Sequence, residues 1–261
     1  MRPVWTALFV YALAVVAVLG LQFAAVTALV AWRGGSLDVE RDALVTLLAG
    51  VPASSLALIA IAFVAGGRPS GVTLRLRPVR LPARGLAIVV LGTLALSQAL
   101  ESLTILLEVG PGPALDWIAR TMAAAPPSGL LLAVLVVGLL APLGEEVFFR
   151  GYLQTRLRLV WSPGPAILVT ALAFGLIHGE LVHGVLAFCI GLYLGLVTER
   201  SGSVIPAVIC HVVNNTGSVV LSAWLGSPAG MAVNVAVLLL TGPVVAGAIW
   251  WMGRLAPARV A

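Results

Sequence analysis

The fold of this chain is decided by the stretch LLAPLGEEVFFR, residues 139–150. Its last six positions carry three ionisable side chains, Glu145, Glu146 and Arg150, at the end of an apolar run that begins near Leu130. A charge in the hydrocarbon of a bilayer costs several kcal/mol and is seldom retained unless it has a function. The stretch therefore indicates a polar site inside a membrane-spanning helix.

The composition of the whole chain supports a membrane setting. Hydrophobic residues make up 61% of its 261 residues and charged residues only 10%, so a soluble fold would have too little polar surface to cover itself. The mean hydropathy is +1.11. Apolar stretches long enough to span a bilayer recur along the chain. We predict eight transmembrane helices, at Val4–Trp32, Ala43–Ala65, Gly85–Leu107, Ser128–Phe149, Pro165–His178, Leu181–Thr198, Val204–Trp224 and Gly230–Met252.

These runs predict an all-α bundle, because they lack the alternation of polar and apolar residues that marks a membrane β-barrel. The first run follows Arg2 in the manner of a secretory signal, but it is nearly thirty residues long. The apolar core of a signal peptide has only roughly 7 to 15 residues. We therefore expect the first run to be retained as a helix, and the chain to form a single membrane domain.

The arginine distribution predicts the orientation in the membrane. All fifteen basic residues are arginine, and the net charge is +5. With a cytoplasmic N-terminus, three arginines fall outside (Arg33, Arg41 and Arg120) and twelve fall inside: Arg2, Arg68, Arg75, Arg77, Arg80, Arg84, Arg150, Arg156, Arg158, Arg200, Arg254 and Arg259. The positive-inside rule then predicts that both termini are cytoplasmic. Basic loops of this kind contact anionic lipid, so we expect the bilayer and no nucleic acid as a partner.

Two later apolar runs carry polar clusters of their own, Phe174–His178 and His211–Asn215. A proline- and glycine-rich bend follows the fourth helix at Trp161. Glu145 lies 16 residues before Trp161, and His178 lies 17 residues after it. In an antiparallel hairpin both positions lie roughly 25 Å from the bend, at about 1.5 Å per residue. The carboxylate and the imidazole are therefore expected to face each other.

Residues four apart share one face of a helix. The pairs with this spacing are His211–Asn215, Phe174–His178 and Glu146–Arg150. Glu145 has no such local partner, so it is the better candidate for a carboxylate that does chemistry, while Glu146 holds the arginine. This assignment assumes a regular helix from Gly144 to Gly151, because a kink there would exchange the two roles.

Three motifs thus follow one another: Glu145-Glu146-x-x-x-Arg150, Phe174-x-x-x-His178 and His211-x-x-x-Asn215. In order and spacing they resemble the motifs of the CPBP intramembrane proteases. That family includes the type II CAAX prenyl endopeptidases and the Abi-type bacterial immunity proteins. The resemblance covers roughly Leu130 to Ser218, and the first three helices show no such signature.

The resemblance implies an enzyme, an intramembrane endopeptidase that hydrolyses a peptide bond of a membrane-associated peptide or protein. By the family's pattern, Glu145, aided by His178, activates a water molecule for attack on the scissile carbonyl. His211 and Asn215 hold the water or the developing oxyanion. The supporting residues are Glu146, Arg150 and Phe174.

Metal use is left open by the resemblance, because family members are described both as metalloproteases and as glutamate-dependent, metal-free enzymes. If a divalent metal such as zinc binds here, its ligands would be Glu145, His178 and His211, with one coordination position open. The chain lacks the His-x-x-x-His pair of a zincin helix. We therefore expect no tightly bound metal, and no other cofactor is indicated.

Within the membrane domain, residues 1–127 are expected to form scaffold helices, residues 128–224 the catalytic helices, and residues 225–261 a C-terminal helix and tail. The alanine-rich composition and the exclusive use of arginine look bacterial, so we expect the protein in a bacterial inner or plasma membrane. The sequence predicts neither the identity of the substrate nor the oligomeric state.

Two other classes of function place charged residues in a similar setting. A proton-coupled transporter would carry them at mid-membrane, but usually with inverted repeats or broken helices, which the sequence lacks. A catalytically silent immunity or assembly factor would retain the fold, although the intact motifs argue against it.

Several further residues fall outside the motifs. His183 is predicted to be an interfacial polar residue near a helix end. Gly191 and Gly195 form a face of small residues for close helix packing. Cys189 and Cys210 lie inside predicted spans, where we expect them to pack as unpaired thiols.

Overall fold

The computed structural model describes residues 2–36, 38, 42–78, 81–225 and 230–255. All regular structure in these ranges is helical, and they contain no strand. The described ranges contain eight apolar helices: α1 Arg2–Trp32, α2 Ala43–Gly66, α3 Ala83–Leu106, α4 Pro127–Arg158, α5 Pro163–Leu176, α6 Leu181–Ser201, α7 Ile205–Trp224 and α8 Met231–Gly253. Seven of them are long and apolar enough to cross a membrane. The predicted all-α integral membrane fold is confirmed.

The short helix α5 differs from the other seven. It has 14 residues and therefore rises only about 21 Å. It forms a tight hairpin with α6, in which Gly175 and Gly184 lie backbone against backbone: a Cβ on Gly175 would be 2.6 Å from the carbonyl oxygen of Gly184. The turn of this hairpin comprises residues 177–180.

An amphipathic helix that the sequence did not predict, Pro113–Ala123, lies between α3 and α4. Proline at its first position has a backbone already set for helix entry. Its apolar face includes Trp117 and Met122, which pack with residues near the ends of α2, α4 and α7. Its polar face carries an exposed ion pair, Asp116–Arg120, at 2.9 Å.

Helix α4 continues through Arg158, well past its predicted end at Phe149. It is not regular, however: π-helical segments at Val134–Leu140 and Val147–Gln154 flank the α-helical Ala141–Glu146. The expectation of a regular helix from Gly144 to Gly151 was wrong. Pro142 lacks an N–H, and its ring would collide with the carbonyl of Gly138 in a normal turn. A wider turn ahead of it relieves that collision.

Helix α4 is joined to α6 by a ladder of side chains spaced four residues apart. Nη2 of Arg150 donates to the carbonyl oxygen of Gly191 at 3.2 Å, and Nε2 of Gln154 donates to that of Gly195 at 3.0 Å. Nε of Arg158 then donates to Glu199 at 2.9 Å. Because each rung joins residues 41 positions apart, the two helices run parallel.

The last rung is part of a buried charge cluster. Glu199, whose side chain is 1% exposed, also accepts hydrogen bonds from Arg75 at 2.7 Å and from Gln154 at 3.1 Å. Arg75 and Arg150 had been counted among the cytoplasmic surface charges, but both form buried ion pairs with glutamates. Two other arginines assigned to the cytoplasm, Arg80 and Arg259, lie outside the described residues, as does Arg41, which was assigned to the opposite side.

Candidate active site

Two carboxylates of α4 flank the imidazole of His211, which extends from α7. Nδ1 of His211 lies 2.9 Å from Oε1 of Glu146, and Nε2 lies 3.7 Å from Oε2 of Glu145. An ionised carboxylate only accepts hydrogen bonds, so Nδ1 of His211 donates its proton to Glu146. Nε2 then faces Glu145 across a gap slightly longer than a direct hydrogen bond.

The adjacent glutamates have different surroundings. The side chain of Glu146 is fully buried and forms an ion pair with the equally buried Arg150, so the pair predicted from their spacing is present. The side chain of Glu145 is 22% exposed. Oε1 of Glu146 accepts from both Arg150 and His211. The buried arginine, the carboxylate of Glu146 and the imidazole of His211 therefore lie in a row behind the accessible Glu145.

The ring of Phe174 is the common neighbour of the site. Its centroid lies 5.0 Å from that of His178 and 5.8 Å from that of His211, both in edge-to-face geometry. The guanidinium carbon of Arg150 lies 4.5 Å from the same centroid, a cation–π contact. Phe174 thus holds the two motif histidines and the buried arginine together.

His178 lies in the turn that follows α5, and its orientation is set by its own preceding helix. Nδ1 is 2.7 Å from the carbonyl oxygen of Phe174. A carbonyl accepts only, so Nδ1 carries the proton and Nε2 has the free lone pair. No hydrogen bond or ion pair joins His178 to Glu145 in the part of the chain described; the side chain that comes near Glu145 from another helix is His211.

Asn215 lies one turn beyond His211 on α7. Its amide nitrogen is 3.4 Å from the carbonyl oxygen of Val137, within the first π-helical segment of α4. Its amide oxygen accepts from Asn214 at 3.4 Å. An amide group has two N–H donors, so one remains for a ligand. Asn214 is therefore bonded to its neighbour on the same helix.

Two residues of this region were not predicted to contribute. The ring of His183 lies 4.3 Å from that of His178, centroid to centroid. Gly191 provides the carbonyl oxygen that accepts from Arg150, and a Cβ on it would be 3.2 Å from both Nη2 of Arg150 and Cδ1 of Phe174. For His183 the sequence carries a weak signal, since only a short turn separates it from His178.

The side chains considered as zinc ligands are those of Glu145, His178 and His211, and they do not lie together in the arrangement of a metal site. Among the described residues no group of three or more histidine, cysteine, aspartate or glutamate side chains is arranged to hold a metal ion. His178 and His211 are instead both arranged around the ring of Phe174.

Comparison with known proteins gives two matches. Residues 127–217, which contain all three motifs, match the family model described as type II CAAX prenyl endopeptidase Rce1-like. The chain is also 28% identical over 151 residues to an uncharacterized 24.3 kDa protein of Escherichia coli, a match that covers 55% of this chain and 65% of the relative. No solved structure matches the chain.

Proposed function

We propose that this integral membrane protein, whose residues 127–217 belong to the Rce1-like family of type II CAAX prenyl endopeptidases, is an intramembrane endopeptidase. Its substrate would be a peptide or protein associated with the bilayer. The observation that carries the proposal is the accessible Glu145, 3.7 Å from Nε2 of His211 and backed by the buried pair Glu146–Arg150.

Hydrolysis of an amide needs a base for the attacking water, because the carbonyl is a poor electrophile. In the proposed reaction Glu145 takes a proton from water while the water oxygen bonds to the carbonyl carbon. Nε2 of His178 has a free lone pair, since its Nδ1 proton is donated to Phe174. That lone pair accepts a hydrogen bond from the same water and orients it.

The negative charge that develops on the carbonyl oxygen needs donors placed in advance. Asn215 supplies an amide N–H, and His211 supplies an Nε2–H when its imidazole is protonated on both nitrogens. The bond between Nδ1 of His211 and Glu146 fixes that ring in place. When the tetrahedral intermediate collapses, the C–N bond breaks and the proton held by Glu145 passes to the leaving nitrogen.

The supporting residues act on this geometry and not on the substrate. Arg150 neutralises Glu146 inside the bilayer and packs on Phe174. Phe174 in turn contacts both motif histidines. We further propose that the protein works in a bacterial plasma membrane with both termini in the cytoplasm, and that its site opens toward the cytoplasmic half of the bilayer.

The proposal is tested by comparing membrane proteomes of a strain that carries the wild-type chain with one that carries Glu145→Gln. A substrate should accumulate uncleaved in the variant, and the purified wild-type protein should cleave it in detergent. Glu101→Gln is the matched control, because Glu101 is a half-buried glutamate of α3 bonded to Gln98. Equal cleavage by wild type and Glu145→Gln would refute the proposed base.

A further inference from the structure

His183 lies beside the site and has no part in the chemistry proposed above. Its ring centroid is 4.3 Å from that of His178, with 59° between the ring planes. Both side chains are half-buried. The two rings belong to different helical segments, because His178 follows α5 and His183 lies in the first turn of α6.

His178 needs support from a neighbour because it lies in an irregular turn. α5 ends at Leu176, and His178 is in the turn at 177–180. The χ2 torsion of histidine is broad and roughly two-fold, so a ring turned over would exchange the position of Nδ1 with that of Cδ2, and the position of Nε2 with that of Cε1. The 2.7 Å bond to the carbonyl of Phe174 selects one orientation. The ring of His183, packed beside that of His178, hinders rotation of the imidazole out of this orientation.

His183 is itself held in place by the start of α6. Glu180 caps this helix, with its carboxylate accepting from the backbone N–H of Val182 at 2.7 Å and of His183 at 3.2 Å. The same carboxylate lies against Gly112, where a Cβ would be 2.8 Å from its Cδ. Gly112 has φ +79°, a conformation that favours glycine. The loop before the helix Pro113–Ala123 therefore packs on the cap.

The geometry points to His183 as a positioning residue for His178, an inference that rests on the proposed function. The ring of His183 holds the His178 imidazole so that Nε2 is presented to the attacking water. Catalytic groups must be held to within about 0.5 Å and 10–20° of the productive geometry by packed neighbours. The role requires a flat ring at position 183 and does not require a titrating one.

Steady-state kinetics on a substrate found by the membrane proteome comparison test this role. His183→Ala should lower kcat by about tenfold or more, with KM changed by less than about twofold, because the attacking water is misoriented while substrate binding is kept. His183→Phe keeps a flat ring and should restore kcat to within about threefold of wild type. Val185→Ala, on the exposed side of α6, is the matched control and should match wild type.

Wild-type turnover by His183→Ala would overturn the inference. So would equal impairment of His183→Ala and His183→Phe, since the imidazole would then be needed for its nitrogen atoms and not for its shape. Melting temperatures of all three variants in detergent should match wild type. If His183→Ala and His183→Phe both lose kcat and both melt at a lower temperature than wild type, the loss reflects folding, and the positioning role would be overturned.

A second measurement does not depend on activity. The chain has 3 histidines, so ¹⁵N-histidine labelling gives three pairs of ring signals, measured near pH 8 where imidazoles are mostly neutral. His178 should show one fixed tautomer, protonated on Nδ1, in wild type and His183→Phe, and an averaged signal in His183→Ala. Identical His178 signals in all three proteins would overturn the inference. If Glu145→Gln still cleaves while these signals change as expected, the proposed mechanism fails and the positioning role stands.

Discussion

Glu145 and Glu146 are neighbours in the chain with opposite environments, since their side chains are 22% and 0% exposed. Removing Arg150 would leave the buried Glu146 without its arginine counter-charge, at a cost of roughly 3–5 kcal/mol. We therefore expect Arg150→Ala and Glu146→Gln to lower the melting temperature in detergent. Glu145→Gln should melt like wild type and fail to cleave. A stable, inactive Glu146→Gln beside an active Glu145→Gln would reverse the assignment.

Gly191 is a second position where a small chemical change should have a measurable effect. A Cβ there would stand 3.2 Å from Cδ1 of Phe174, from Nη2 of Arg150 and from Cβ of Ala171. Overpacking of this kind typically costs about 1–3 kcal/mol. Gly191→Ala should therefore lower the melting temperature and displace Arg150 from its carbonyl acceptor.

Gly242 of α8 gives the control for that change, because a Cβ there meets nothing within 4 Å. Alanine is a better helix former than glycine by up to about 1 kcal/mol. Gly242→Ala should leave the melting temperature unchanged or raise it. Equal melting of Gly191→Ala and Gly242→Ala would mean that the contact at Gly191 is not tight.

At the residue scale, the sequence predicted the local pairs and missed the long-range ones. Glu146 and Arg150 lie four residues apart on one helix, and Phe174 lies four residues before His178 where another helix ends, so both contacts follow from local geometry. The bond between Glu146 and His211 joins residues 65 positions apart. It depends on how α4 and α7 are rotated against each other, which one sequence does not specify.

At the scale of elements, the α4–α6 ladder ends in the buried cluster around Glu199. Glu199→Gln would leave Arg75, whose side chain is 7% exposed, without its counter-charge. The expected loss is roughly 3–5 kcal/mol, measured as a lower melting temperature in detergent. The exposed pair Asp116–Arg120 gives the comparison, because Asp116→Asn should cost less than about 1 kcal/mol. Equal effects of the two substitutions would contradict a structural role for the cluster.

The helices themselves were largely predictable from apolar run length. α2 was predicted at Ala43–Ala65 and extends over Ala43–Gly66. The helix Pro113–Ala123 was not predicted because its 11 residues are too few to span a bilayer, and its polar face gives it the composition of a loop. The π-helical turns were missed because run length carries no information on how wide a helical turn is.

At the scale of the whole molecule, orientation remains a prediction, and labelling of single cysteines tests it. In a background without Cys189 and Cys210, cysteines placed at Ser70 and Ser162 should be protected from an impermeant thiol reagent in intact cells. A cysteine at Ser36, which is exposed, should react. The physical reason is the excess of arginine in the loops assigned to the cytoplasm. The opposite pattern of labelling would invert the orientation and the side from which the site opens.

The shortness of α5 has a consequence for the surrounding lipid. Where α5 begins at one headgroup layer, its rise of about 21 Å falls short of a hydrocarbon core about 30 Å thick, and the turn at 177–180 then lies inside that core. Irregular backbone at such depth is tolerated only against protein or water, and Gly179 in this turn is exposed. Such a placement would require the bilayer to thin locally or water to enter it. Either would bring to His178 the water that the proposed hydrolysis consumes and that lipid excludes.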